Sequence, residues 1–329
     1  MKRLLCIFLF LACSAVRAEN YAEREDVRAF VAEVEARHGF SGAMLTALFR
    51  QTQPVASVLK AIRPPKDPGI RSWQTYRSRF VESRRIAAGR VFMAQYAAEL
   101  AAAEAQFGVP AEIIAGIIGV ETIYGKHMGR YKAFSALTTL AFDYPPRADL
   151  FRHELEELLL LAREENRDPL SYTGSYAGAL GLPQFLPSSM RRYALDFDND
   201  GRIDLHASPV DAIGSVAHFL AEHGWQRGEP IAIAVMASGE GTQKLIDEGI
   251  APRLTPAAMD ALGVSLKKVG AGDTALAEQP AALIDFVTPD APTEYRLGYH
   301  NFWVITRYNR SSFYAAAVMD LAAALCGSD

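Results

Sequence analysis

Apolar residues recur three and four positions apart through most of the chain, the period of a helix with one buried face. Between Tyr21 and Gly108 the segments "VRAFVAEVEARHGF", "AMLTALFR" and "FMAQYAAELAAAEAQFG" carry this period, and "RPPKDPG" at 63–69 interrupts it. The last of the three segments predicts one long helix. A second helical stretch is expected from Pro110 to about Trp225, broken by two runs rich in turn residues, "FDYPPRADL" and "DPLSYTGSYAGALGLPQFLPSS". Past "GWQRGEP" the texture changes: "IAIAVMA" and "AALIDFV" are short β-prone runs set off by glycine and proline, and "FYAAAVMDLAAAL" returns to helix. The pattern predicts a mainly α protein with a β-containing part (α+β). Its expected divisions are an N-terminal helical domain at 19–109, a second domain at 110–228, a small α+β domain at 229–299 and a segment at 300–329 that packs back on the helical body.

The first residues follow a different rule. Lys2 and Arg3 precede the apolar run "LLCIFLFLA", and "AVRA" at 15–18 ends in a small residue before Glu19. That is a secretory signal peptide at 1–18, too short for a membrane span of about 20 apolar residues. The mature chain is expected in the periplasm. Phe10-Leu11-Ala12-Cys13 loosely resembles a lipid-attachment box, so a lipid-anchored outer-membrane form is the lesser alternative; Val16 and Ala18 suit ordinary cleavage better. After cleavage only Cys326 remains, which excludes an internal disulfide and leaves a free thiol. With 329 residues, half of them apolar, the chain can bury a core, and a monomer is expected. A net charge of −4 supplies no basic field for phosphates, which argues against a nucleic-acid partner.

Candidate chemistry begins at "IIAGIIGVETIYG". Ile114, Ile117, Ile118 and Glu121 stand at i, i+3, i+4 and i+7, so Glu121 shares a helix face with three isoleucines and is buried or lines a cleft. Desolvation would raise its pKa and keep it protonated near neutral pH, the state a general acid needs. The other reading is a helix-end carboxylate paired with Arg130 or Arg147, and spacing alone does not choose between them. The loop "SYAGALGLPQFLPSS" has neither GxGxxG nor P-loop spacing and is not a phosphate cradle. Its glycines allow close backbone approach, while Ser175 and Gln184 offer hydrogen bonds to an uncharged polar ligand such as a sugar; an ordinary self-braced loop fits equally. Trp73, Tyr76, Tyr124, Tyr144, Trp303 and Tyr308 lie beside polar residues, as sugar-stacking platforms or as core. No GxSxG elbow, HExxH or Cys/His cluster occurs, which leaves nucleophilic-serine and zinc chemistry without support. No organic cofactor is expected.

"DFDNDGRIDLHASPVD" places Asp196, Asp198 and Asp200 at alternate positions, followed by Gly201 for the sharp turn, Arg202 at the seventh position and Ile203 at the eighth. This is the opening of an EF-hand calcium loop. Asp204 stands at the ninth position, but Ala207 takes the twelfth, where a bidentate glutamate is expected. Asp211 could close a longer loop. Hard oxygen donors suit calcium, with sodium a weaker occupant.

Taken together, "GVETIYGKHMGRY", "TLAFDYPPR", "SYAGALGLPQFLPSS", the calcium-like loop with "SPVDAIGSVAHFL", and "HNFWVITRYN" closely resemble the lytic murein transglycosylase B family over nearly all of the mature chain. The resemblance implies a lysozyme-like catalytic core flanked by a helical domain and a small β-containing domain. It implies cleavage of the β-1,4 bond between N-acetylmuramic acid and N-acetylglucosamine, with peptidoglycan glycan strands as partner and cell-wall synthesis proteins as further ones. Glu121 resembles the family's single acid/base, which protonates the glycosidic oxygen and then removes the proton from the C6 hydroxyl to close a 1,6-anhydro ring. Ser175 and Gln184 resemble the groups that orient the glutamate and the substrate's N-acetyl group, and Tyr76, Tyr144, Arg147, Asn301 and Tyr308 resemble groove residues. Phe219 departs from the tyrosine that relatives often carry, and Leu182-Pro183 from a tyrosine-glycine or similar pair. The rival readings are hydrolysis, with Asp143 positioning a water as a second carboxylate, and a catalytically idle wall-binding protein.

Overall fold

The computed structural model describes residues 20–64, 71–266 and 274–327. The expected signal peptide, its cleavage site and Cys13 lie outside them. Two compact units divide the chain after Val55. In the first, α1 (Glu25–His38) ends on Gly39 in the left-handed conformation, and Ser41 caps α2 (Gly42–Arg50) by accepting from the Met44 N–H. Phe30 and Phe49 meet edge to face, their centroids 6.0 Å apart.

The second unit holds α3 (Ala56–Ile62), α4 (Trp73–Phe80), α5 (Ser83–Gln95), α6 (Ala97–Phe107), α7 (Ala111–Thr122), α8 (Ala133–Asp143), α9 (Ala148–Glu164), α10 (Pro187–Tyr193) and α11 (Pro209–Glu222). After the sheet region come α15 (His300–Tyr308) and α16 (Ser312–Leu325). Helix α7 is the axis: Ile114, Ile117 and Ile118 are fully buried, because α5, α6, α11 and α16 cover it on all sides. A helix apolar all round is stable only when enclosed in this way. Gly116 makes the α16 contact possible, since a Cβ there would lie 3.0 Å from the Val318 carbonyl oxygen.

The long helix expected over 92–107 is instead two. Tyr96 leaves helical geometry at φ −112° and ψ 32°, and its N–H closes α5 on the Phe92 carbonyl. The apolar faces on either side have different partners, α7 and α16 for α5 but α11 and α7 for α6, and a straight helix could not bury both.

Helices α8 and α9 pack against each other, and α9 anchors α10 through Glu154. That buried carboxylate accepts from Ser188 N–H at 3.0 Å and Ser188 Oγ at 2.7 Å, satisfying the first turn of α10. Between α7 and α8, β1 (Tyr131–Lys132) pairs antiparallel with β2 (Thr173–Gly174), Tyr131 opposite Gly174. This short ladder brings the segment after α7 alongside the glycine-rich loop.

Strands form in both expected runs, as β3 (Ala232–Ala237) and β5 (Ala282–Phe286), joined by β4 (Val264–Leu266) and β6 (Glu294–Gly298) into an antiparallel sheet of order β4-β3-β6-β5. Between them lie α12 (Gly241–Asp247), α13 (Pro256–Asp260) and α14 (Thr274–Glu278). One sheet face builds a core of Val235, Leu283 and Leu297 with Leu245, Met259 and Val264. The other meets the helical body through Phe286, whose ring lies 4.9 Å from Trp73 and 5.8 Å from Phe313. Arg296 pairs with Asp320 of α16 at 2.7 Å across the same junction.

Candidate active site

Glu121 lies in the last turn of α7, which stops abruptly. Ile123 and Tyr124 adopt left-handed conformations at φ 52° and 55°, followed by Gly125 at 86°. Such a run is costly for side-chain-bearing residues, most of all for a β-branched isoleucine, and persists only where surrounding contacts impose it. Those contacts are present. The Tyr124 ring inserts beside Gly119, where a Cβ would stand 2.4 Å from its hydroxyl, and packs 5.1 Å from Phe92. Thr122 Oγ1 donates to the Leu182 carbonyl at 2.9 Å and accepts from Gly125 N–H at 3.0 Å.

Glu121 as a residue is partly exposed, but its carboxylate is enclosed by a set of tyrosines drawn from three other elements. Tyr314 of α16 donates to Oε1 at 2.7 Å. Tyr308, at the end of α15, stacks on Tyr314 with centroids 6.3 Å apart and planes 13° apart, and donates to the Pro183 carbonyl at 2.5 Å. Tyr76 of α4 completes the set: burial and then the Glu121 charge raise the pKa values of Tyr76, Tyr308 and Tyr314. Burial pushes Glu121 itself up to about 7, while the Tyr314 hydrogen bond draws it partly back. Among the described residues no cation pairs with Glu121, so the ion-pair reading with Arg130 or Arg147 fails. No second carboxylate perturbs it either.

The glycine-rich loop reaches this region through its Leu182 and Pro183 carbonyls, which accept from Thr122 and Tyr308. Ser175 Oγ accepts from Ala177 N–H at 3.2 Å and Ala179 N–H at 3.1 Å, bracing its own turn. Gln184, left-handed at φ 52°, donates from Nε2 to the Met128 carbonyl at 3.1 Å and the Gly181 carbonyl at 2.9 Å. Neither hydrogen-bonds Glu121 among the described residues; the bonds shown for Ser175 Oγ and Gln184 Nε2 go to backbone groups. Beside Gln184 and Tyr308 opens a groove of about 580 Å³, walled further by Phe185, Phe219, Tyr193 and His223. Glu121 does not line this hollow and is joined to it through the stacked Tyr308 and Tyr314.

Tyr144 is partly exposed in the turn between α8 and α9, and Arg147 is exposed with its guanidinium 5.3 Å from the Phe151 ring centroid. Asp143 ends α8 and is partly exposed. Asn301 requires a correction. It is fully buried, accepts from Gln226 N–H and donates to the Gln226 and Glu229 carbonyls, so it holds the turn at 226–229 and faces no groove. The exposed asparagine beside Tyr308 is Asn309. Tyr314 went unmarked in the sequence because "FYAAAVMDL" reads as core; the one available signal was that a buried tyrosine hydroxyl needs a partner.

In the acidic loop, Asp196, Asp198 and Asp211 converge with ligand-capable atoms within 4.8 Å of one another. Asp196 accepts from Asp200 and Gly201 N–H groups at 3.0 and 2.9 Å, as the tight turn requires. Asp211, buried in the first turn of α11, accepts from Phe197 and Asp204 N–H groups. Burial raises its pKa, and the Asp198 charge adds to the rise. Asp200 and Asp204 lie outside the cluster: Asp200 accepts from Arg202 N–H, and Asp204 from His206 and Ala207 N–H groups. Arg202 contributes no side chain to it.

The transglycosylase SLT domain model matches residues 22–323. The chain is 38% identical over 317 residues to the membrane-bound lytic murein transglycosylase B of Escherichia coli, covering 93% of this chain and 84% of that protein. The soluble lytic transglycosylase SltB1 of Pseudomonas aeruginosa superimposes with a TM-score of 0.84 at 46% identity, covering 92% of this chain and 99% of that one. The Escherichia coli lytic transglycosylase Slt35, solved in complex with calcium, gives 0.80 at 36% identity, over 94% and 95% of the two chains.

Proposed function

The chain belongs to the family of lytic murein transglycosylases, peptidoglycan-cleaving enzymes with a lysozyme-like fold, and on that premise we propose that Glu121 is its single catalytic acid and base. The observation that carries this is a lone carboxyl with a pKa of about 7, held by Tyr314 and coupled to no second carboxylate among the described residues. Two-carboxylate hydrolysis needs a partner roughly 5 to 9.5 Å away. A protonated Glu121 donates to the glycosidic oxygen between N-acetylmuramic acid and N-acetylglucosamine as the C1–O bond breaks. The acetamido oxygen of the same sugar stabilises the positive charge at C1. The glutamate, now ionised, takes the proton from the C6 hydroxyl, whose oxygen bonds to C1 and closes a 1,6-anhydro ring. No water enters. A pKa near ambient pH serves both halves of this cycle. A Pseudomonas aeruginosa relative, SltB3, was solved with NAG-anhNAM-pentapeptide, a ligand whose name carries the anhydro end.

Ser175 and Gln184 support the reading as loop braces that fix the wall facing the N-acetyl group, with Tyr76, Tyr144, Arg147 and Tyr308 along the glycan path. We place the catalytic core at 110–228. The Asp196, Asp198 and Asp211 donors suit a structural calcium ion: three hard carboxylates crowded together, one of them buried, are stabilised by a dication. The ion would join the loop to α11 and takes no part in the reaction. The enzyme works on the wall, and export through the leader at 1–18 puts it in the periplasm as a monomer; among the described residues no single helix is long and apolar enough to cross a membrane.

The test is the mass of products released from purified sacculi. Muropeptides lighter by one water than hydrolysis products are expected from wild type, and a loss of roughly 10² to 10⁴ in rate from Glu121→Gln. Reducing-end products would establish a hydrolase and direct attention to Asp143; sacculi left intact by wild type would favour an idle binder.

A further inference from the structure

The groove beside Gln184 and Tyr308 is rich in arginine. Arg191, Arg192 and Arg307 line it with Glu157, in a chain whose net charge is −4. Arg191 is neutralised, 2.6 Å from Glu157 and 2.7 Å from Glu164. Arg192 and Arg307 have no carboxylate partner among the described residues. Each is braced by an aromatic face instead: the Arg192 guanidinium lies 5.1 Å from the Tyr193 ring centroid and that of Arg307 lies 4.4 Å from Trp303.

A guanidinium held by its flat face keeps its N–H edge free, and that edge matches a carboxylate in bidentate fashion. Arg307 is the sharper case. Its Nε is buried without an acceptor, Nη2 donates only to Thr306 Oγ1 at 3.2 Å, and burial together with the charge of Arg310 already disfavours its ionised form. Only Nε is enclosed, and a ligand anion would supply the acceptor it lacks while offsetting the nearby Arg310 charge.

The sugars of a glycan strand are uncharged apart from what hangs on the lactyl arm of muramic acid, and a peptide attached there carries free carboxylates. We propose that Arg192 and Arg307 form a carboxylate subsite for the peptide stem of a muramic acid residue seated beside Glu121. The groove then reads whether the strand is still peptide-bearing. This rests on the transglycosylase reading above and adds to it the part of the substrate that sets preference.

The experiment compares two forms of one substrate: stem-bearing glycan strands, and the same strands with their free carboxylates converted to amides. Wild type should lose about tenfold in kcat/KM on amidation, the equivalent of one charge-assisted hydrogen bond. In Arg192→Gln/Arg307→Gln the two forms should be cleaved with kcat/KM values in a ratio near one. Arg307→Lys, which keeps the charge and loses the fork, should retain an intermediate preference. A double variant that keeps the wild-type ratio, or a wild type that does not distinguish the two forms, overturns the subsite. Wild type that yields no anhydro products from either form would instead remove the parent reading.

Discussion

Glu121→Gln is expected to inactivate the enzyme and to stabilise it, and the size of the second effect follows from where the carboxyl sits. In the folded chain its pKa is about 7 against an ordinary 4.5, because burial penalises the charge more than the Tyr314 hydrogen bond relieves it. Below pH 4.5 the group is protonated in folded and unfolded chains alike, and its full contribution to stability is present. As the pH rises from 4.5 to 7 the unfolded chain releases a proton that the folded chain keeps. Stability therefore falls by about 1.4 kcal/mol per pH unit across that window. The loss levels off above pH 7 at roughly 3 kcal/mol, having been under about 1 kcal/mol at pH 5. Glutamine has no such titration, and its carbonyl can still accept from Tyr314. At about 2 °C per kcal/mol for a chain of this size, the variant's advantage in melting temperature should grow from about 1–2 °C at pH 5 to roughly 6 °C at pH 8. Paired thermal melts at the two pH values measure it directly. A difference between variant and wild type that stays constant with pH would show that Glu121 titrates as an ordinary carboxylate, and the acid/base argument would lose its basis.

Three further outcomes are expected. Tyr314→Phe removes the hydrogen bond that favours ionised Glu121, so the alkaline limb of the kcat/KM profile should move upward; a limb that stays or moves down refutes the contact's role. Calcium at about a hundredfold excess over its dissociation constant should stabilise wild type by about 2.7 kcal/mol and leave Asp196→Ala/Asp198→Ala unaffected, whereas equal shifts in thermal melts would dismiss the site. Protein recovered from the periplasm of a Gram-negative host should begin at Glu19 by N-terminal sequencing; a lipid on Cys13 would place it on a membrane surface instead.

Local periodicity carried the most information in the sequence. The place of Glu121 beside the buried isoleucines was legible because it depends on neighbours three, four and seven positions away, and the convergence of Asp196 and Asp198 because such a turn is written in consecutive residues. Asp211 was harder, since it joins that cluster from the next helix. Long-range partners left little trace. Tyr314 reaches Glu121 across 193 positions of sequence from a helix that otherwise reads as alanine-rich core. Asn301 was misplaced for the same reason: a polar residue on an amphipathic helix looks identical whether it faces a ligand or satisfies the carbonyls of a distant turn. The division of the 92–107 helix at Tyr96 escaped because period shows that a face will be buried and not which element will bury it.

The contact between α7 and α16 also orders events in time. Glu121 leaves the ribosome long before Tyr314, and until α16 docks the glutamate has no closed surroundings to hold its proton. In a chain interrupted or clipped ahead of that helix, water should reach the carboxyl and return its pKa toward 4.5, leaving it ionised near neutral pH. On the role proposed for Glu121, wall cutting would be withheld from unfinished and damaged copies until the far end of the sequence has folded home.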